Sequence, residues 1–135
     1  NYVYRMYWGT PDPFLSRYAL KLEKVPDTTL MNKFCKTLLG EHDFIGFSSS
    51  GRTVEDTVRT VSECSVNLKD NILEFSISAN GFLYNMVRII VGTLLEVGRG
   101  ERDVLSVAQA LKAKDRKLAG FTAPAQGLFL WEVEY

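Results

Sequence analysis

The period of hydrophobic and polar positions changes several times along the chain, and each change predicts an element. Tyr2, Tyr4, Met6 and Trp8 alternate with Val3, Arg5 and Tyr7 in a run of strand-forming residues that stops at Gly9 to Pro13, a turn cluster holding two prolines. This is read as a strand. Tyr18 to Leu22 is a shorter second candidate. Pro26 and Asp27 then signal a helix start, with Asp27 as N-cap. Leu30, Phe34 and Leu38 follow at four-residue spacing, flanked by Met31, Cys35 and Leu39, so one stripe faces a core until Gly40 ends the helix. Gly40-Glu41-His42-Asp43-Phe44 reads as the C-cap and a turn.

Period two returns from Val58 to Leu68 and from Ile72 to Ala79, with Cys64, Val66 and Leu68 on one face, then Leu73, Phe75 and Ile77. Lys69-Asp70-Asn71 between them predicts a hairpin turn. Gly81 to Val97 is apolar nearly all round and too long for a strand, which predicts a buried helix ending at Gly98 and Gly100. Asp103 caps a further amphipathic helix with Val104, Val107, Ala108 and Leu111 inward. Lys112, Lys114, Arg116 and Lys117 lie near its end, where cations suit the helix dipole and a solvated surface is the default. Leu128 to Tyr135 alternates once more, with Glu132 and Glu134 on the wet face. Four or five strands and about three helices, without regular βαβ alternation, predict an α+β fold: a mostly antiparallel sheet with helices packed on it.

Composition narrows the function classes. The chain has 135 residues, 46% hydrophobic and 24% charged, enough for a single domain over 1–135 and too little for two. No stretch approaches the roughly 20 apolar residues that span a bilayer, so no membrane partner is expected. Sixteen Lys and Arg balance sixteen Asp and Glu, so nucleic acid would be met by a local patch and not by a broad field. Two cysteines, Cys35 and Cys64, and one histidine make neither a disulfide framework nor a zinc site. Reduced thiols fit a cytoplasmic protein. No phosphate-cradling glycine loop, zinc spacing or Ser-His-Asp order is present. Asp43, Asp56, Asp103 and Asp115 all fall in turn or cap contexts. The chain opens on Asn1, directly in a strand, and reads as a piece of a longer polypeptide.

The most informative residue is Arg88, the only charged side chain between Gly81 and Leu95. A desolvated guanidinium without a partner costs several kcal/mol, so an anion is expected beside it. That anion is either Glu96, two turns on, or a catalytic carboxylate or phosphate gripped by the guanidinium fork. Tyr2, Tyr4, Tyr7 and Trp8 place aromatics on both faces of one strand. Core packing accounts for most of them, and an outward ring would suit stacking on a base.

The run Asn80-Gly81-Phe82-Leu83-Tyr84-Asn85-Met86-Val87-Arg88-Ile89-Ile90-Val91-Gly92 with Glu96-Val97-Gly98 resembles the signature helix of TruA-type tRNA pseudouridine synthases. Gly40 to Phe44 resembles a turn of that family, Ala119 to Ala125 with Gly127 to Leu130 its C-terminal motif and last strand, and Tyr2-Val3-Tyr4 its Tyr-x-Tyr strand. The resemblance implies isomerisation of uridine to pseudouridine in the anticodon stem-loop of tRNA, without cofactor, by a homodimer. An aspartate adds to the uridine, the glycosidic bond breaks, the uracil turns, and C5 joins the ribose. It implies that Arg88 ion-pairs with that aspartate, that Tyr2 contacts the target base, and that Leu128 lines the pocket. The family's aspartate lies in an Arg-Thr-Asp motif upstream of the Tyr strand. Gly51-Arg52-Thr53-Val54 echoes the motif with valine in place of aspartate. The expectation is therefore the C-terminal half of such an enzyme, inactive alone, with the upstream half as partner. The alternatives are a non-catalytic RNA-binding or dimerisation module, and an unrelated ligand-binding domain in which Arg88 is a structural ion pair.

Overall fold

A computed structural model describes residues 1–9, 12–49 and 56–130. Next to one border of its sheet runs β1 (Tyr2–Trp8), whose two edges are both occupied. One edge pairs antiparallel with β5 (Ile72–Ala79) along its length. The other is shared: β2 (Leu20–Leu22) runs parallel beside Met6 to Trp8, and β6 (Leu128–Leu130) antiparallel beside Tyr2 to Tyr4. β4 (Val58–Lys69) and then β3 (Gly40–Asp43) continue the sheet beyond β5. One parallel pair in an otherwise antiparallel sheet, with three α-helices, is the α+β arrangement expected. The sheet has six strands among the described residues, one more than the upper expectation.

The register decides which face is covered. Tyr2, Tyr4 and Met6 stand opposite Ile77, Phe75 and Leu73, which in turn stand opposite Cys64, Val66 and Leu68. Cross-strand partners point to the same side, so these side chains form one face. The helices α1 (Thr28–Leu38), α2 (Met86–Gly98) and α3 (Leu105–Ala113) join that face in one buried cluster holding Phe34, Phe75, Ile90 and Val107. The opposite face carries polar pairs such as Arg5 and Glu74, 3.0 Å apart.

Local chemistry explains most of the element ends. Asp27 accepts hydrogen bonds from the N–H groups of Thr29 (3.0 Å) and Leu30 (3.1 Å), satisfying donors that α1 leaves open, a cap worth about 1 kcal/mol. Met31, Phe34, Cys35 and Leu38 are buried, whereas Leu30 is half-buried and Leu39 exposed, so the stripe is turned toward Met31 and Cys35. The β4–β5 hairpin turns through Asp70, at φ +56°, and Asn71, as the turn residues predict. A bulge between Val61 and Glu63 puts Val61 on the same buried side as Val66 despite their odd separation. Leu68 shares that side, but at the hairpin tip it is exposed.

Four expectations need correction. Residues 40–43 form β3, not a turn: Gly40, at φ +94°, redirects the chain, and Glu41 to Asp43 pair with Val58 to Thr60. An edge strand of polar residues has no apolar alternation to betray it. α2 starts at Met86, because Asn85 adopts a left-handed conformation (φ +60°, ψ +10°) that breaks the helix. The inward face of α3 is Val107, Ala110 and Leu111; Ala108 is exposed and Val104 half-buried. The second strand is Leu20–Leu22, since Tyr18 closes a 3-10 turn. Of the last predicted strand, Leu128–Leu130 is observed, and its continuation through Trp131 to Tyr135 lies outside the described residues, as do Gly51 to Val54.

Candidate active site

Arg88 lies in the first turn of α2, and residues 119–127 cross that helix as a strap on their way to β6. Small residues allow the crossing. A Cβ on Gly92 would stand 1.7 Å from the carbonyl oxygen of Phe121, and one on Gly120 2.8 Å from Thr93 backbone atoms. Hydrogen bonds then pin the strap down. Gly120 N–H donates to Thr93 Oγ1 (2.8 Å), whose own hydroxyl donates to the Ile89 carbonyl (2.8 Å). Ala123 N–H donates to the Arg88 carbonyl (3.0 Å). Arg116 donates to the Gly120 carbonyl (2.7 Å) and Thr122 Oγ1 (3.3 Å), so this cation of the basic run clasps the strap and is not simply solvated.

The strap presents two successive carbonyls to the site. Arg88 Nε donates to the Ala123 carbonyl at 2.7 Å, and the Tyr4 hydroxyl donates to the Pro124 carbonyl at 2.6 Å. Arg88 Nη1 donates to Asn85 Oδ1 at 3.3 Å. Among the described residues no carboxylate is paired with Arg88. The expected local partner is engaged elsewhere: Glu96 pairs with Arg102 at 3.0 Å. Neutral oxygens meet the partial desolvation of the guanidinium and fix its orientation while leaving its charge uncompensated. Burial pushes the Tyr4 hydroxyl up to about 12 against the opposing pull of the Arg88 charge, so Tyr4 stays a neutral donor.

Tyr2 and Leu128 take their places from the register of β1. Tyr2 is two residues from Tyr4 on the same face, half-buried, with its ring edge-on to Phe82 at 4.9 Å between centroids. Leu128, also half-buried, is the cross-strand neighbour of Tyr4. Arg88, Tyr2 and Leu128 thus converge on Tyr4 and the strap, which bring together the N-terminal end of α2 and the β1–β6 pair. Tyr4 and Asn85 were not singled out from the sequence. Both had a usable signal: Tyr4 follows Tyr2 at strand period, and Asn85 precedes Arg88 by the three residues that make helix neighbours.

The remaining candidates have structural roles. Asp43 is desolvated, but the Thr57 hydroxyl, the Ile45 N–H and the Lys114 ammonium outweigh that and hold its carboxyl below the usual range. Asp56, Asp103 and Asp115 accept backbone N–H groups two residues on. Cys35 and Cys64 are free thiols; Cys35 beside it, and burial, push the Cys64 thiol far above its ordinary range. No group of three or more His, Cys, Asp or Glu able to hold a metal occurs among the described residues. None of the helices described is long and apolar enough to cross a membrane. Surface hollows of about 630 and 660 Å³ are lined by other residues, Pro26 and Gly98 in one, Tyr18 and Glu74 in the other.

Comparison with known proteins matches residues 34–135 to a family model described as tRNA pseudouridine synthase. The chain belongs to that family. Among its relatives, tRNA pseudouridine synthase A of Geobacillus sp. (strain WCH70) is 48% identical over 124 residues, covering 92% of this chain and 50% of the relative. The protein of the same name from Anoxybacillus flavithermus is 46% identical over 135 residues, covering 100% of this chain and 55% of the relative. That from Exiguobacterium sp. (strain ATCC BAA-1283 / AT1b) is 44% identical over 126 residues, covering 93% and 51%. The chain spans about half the length of the curated relatives it matches. Among the described residues the oriented guanidinium of Arg88 has no carboxylate beside it.

Proposed function

We propose that these 135 residues form the C-terminal catalytic half of an enzyme that isomerises uridine to pseudouridine in the anticodon stem-loop of tRNA. The observation that carries the reading is Arg88: it is fixed by the Ala123 carbonyl and Asn85, with three of its N–H groups left without an acceptor among the described residues. A carboxylate supplied from the rest of the polypeptide completes it. The ion pair keeps that aspartate ionised, as a nucleophile must be, and fixes its direction of attack. The target uridine has to leave its stack to be reached, and Tyr2, braced by Phe82, offers it an aromatic neighbour while Leu128 supplies apolar wall. The aspartate adds to the uridine, the glycosidic N1–C1′ bond breaks, and the turned uracil bonds to C1′ through C5; the aspartate is released, C5 loses its hydrogen as a proton, and N1 takes one up. Family membership supports tRNA as the substrate; in this reading the full-length enzyme is a homodimer that acts in the cytoplasm.

The test is tritium release from tRNA labelled at uridine C5. Release is expected from the full-length protein and not from residues 1–135 alone. Arg88→Met in the full-length protein should lower turnover about a hundred- to a thousandfold, a loss comparable to removing a key electrostatic group from an active site, with its melting temperature little changed. Turnover by the short chain would refute the half-enzyme reading. Tight tRNA binding without release by either form would favour the non-catalytic RNA-binding module.

A further inference from the structure

Asn85 stands in the left-handed region at φ +60°, immediately before α2, where asparagine ordinarily caps the helix with its side chain. Here it makes no cap. Its carboxamide instead bridges two side chains: Nδ2 donates to Ser49 Oγ at 3.0 Å, and Oδ1 accepts from Arg88 Nη1 at 3.3 Å. Arginine has no acceptor, so only the oxygen of the amide can face it, which fixes the amide's orientation. Ser49 is itself anchored. Its N–H donates to the Tyr84 carbonyl at 3.0 Å, and the preceding turn is rooted in the core by the fully buried rings of Phe44 and Phe47. Non-glycine residues held in left-handed geometry cluster at functional sites. The backbone conformation of Asn85 swings its side chain away from the helix end and onto the guanidinium.

We infer that Asn85, braced by Ser49, is a positioning residue that sets the direction in which Arg88 presents its free N–H groups to the catalytic carboxylate. The Ala123 carbonyl holds Nε and Asn85 holds Nη1, two different nitrogens of the group. Together they suppress rotation of the guanidinium without neutralising it. The inference rests on the role proposed for Arg88.

Glycine adopts the φ of residue 85 without strain, so Asn85→Gly removes the carboxamide and keeps the turn. In the full-length enzyme acting on a tRNA transcript, Asn85→Gly is expected to lower kcat about tenfold with KM unchanged, since modest misplacement of a reacting group costs ten- to a hundredfold. Asn85→Asp is nearly isosteric and Ser49 can donate to it, yet its charge occupies the guanidinium; kcat should fall further, by about a hundredfold. Ser49→Ala should give a smaller loss, and Ser49→Ala with Asn85→Gly no greater loss than Asn85→Gly alone, because Ser49 acts only through Asn85. Melting temperatures confirm folding, and Asn85→Asp and Ser49→Ala decide the matter should Asn85→Gly prove unstable. Wild-type kcat in the Asn85 variants, a raised KM with unchanged kcat, or multiplying losses in the double variant would overturn the positioning role while leaving the function intact. Full turnover by Arg88→Met would overturn the role proposed for Arg88, and this inference with it, whereas absent turnover by the full-length wild type would overturn the function itself.

Discussion

At the scale of a residue, Tyr4 ties the site to the stability of the fold. Its side chain is completely buried, and its hydroxyl is held up to about 12, well above the ordinary tyrosine value of 10.0. The folded protein therefore keeps a proton that the unfolded chain releases between these two values. Stability from this group is fully present below pH 10 and is lost as pH rises from about 10 through about 12. Melting curves taken across that window should fall more steeply for the wild type than for Tyr4→Phe, the other tyrosines being common to both. At neutral pH the variant should be less stable by about 1 kcal/mol, the worth of the bond to Pro124. Parallel curves for the two proteins would remove Tyr4 from the account. Arg88 shows how far sequence reasoning reaches for a single side chain. Its isolation in an apolar helix announced that something must face it, but the local partner proved to be a carbonyl 35 residues away and an amide one turn back. Neither acceptor carries a charge, so no pattern of charged residues pointed to them.

At the scale of elements, the crossing of α2 by the strap is the arrangement most exposed to a single methyl group. Alanine is the better helix former by about 1 kcal/mol, so on propensity alone Gly92→Ala would stabilise α2. The added Cβ would meet the Phe121 carbonyl at 1.7 Å, and backbone cannot turn aside as a side chain can. Urea denaturation is expected to show a loss of about 2–4 kcal/mol, in the range of severe overpacking. A neutral or stabilising result would mean that the strap does not lie on the helix. Elements with a local signal were legible: the Asp27 cap and stripe of α1, the β4–β5 hairpin with its Asp70 turn, and the continuous apolar run of α2. The unread elements depend on distant partners. β3 is a strand only because β4 lies beside it, and of β2, itself legible as a strand, only the parallel pairing with β1 has no local signal. The left-handed Asn85 that trims α2 is stabilised by Ser49, 36 residues earlier.

At the scale of the molecule, charge and topology point in the same direction. With sixteen basic and sixteen acidic residues the chain has no net charge to gather a polyanion. Filter binding of tRNA to residues 1–135 alone should give a dissociation constant no tighter than the roughly 10⁻⁶ to 10⁻⁴ M of non-specific contact at physiological salt. Affinity tighter by an order of magnitude would show that this half carries a docking surface of its own. The shared edge of β1 has a temporal side as well. Tyr4 and its acceptor Pro124 are 120 residues apart, and β6 follows Pro124 in the chain. A ribosome adding about 5–20 residues per second leaves β1 for on the order of ten seconds with half of one edge bare. Arg88, 35 residues ahead of Ala123, waits about two to seven seconds of that interval for the carbonyl that holds it. A nascent chain thus offers chaperones an open strand edge, a known hazard for misassociation, and the guanidinium is locked in place only once a segment 35 residues further along has emerged.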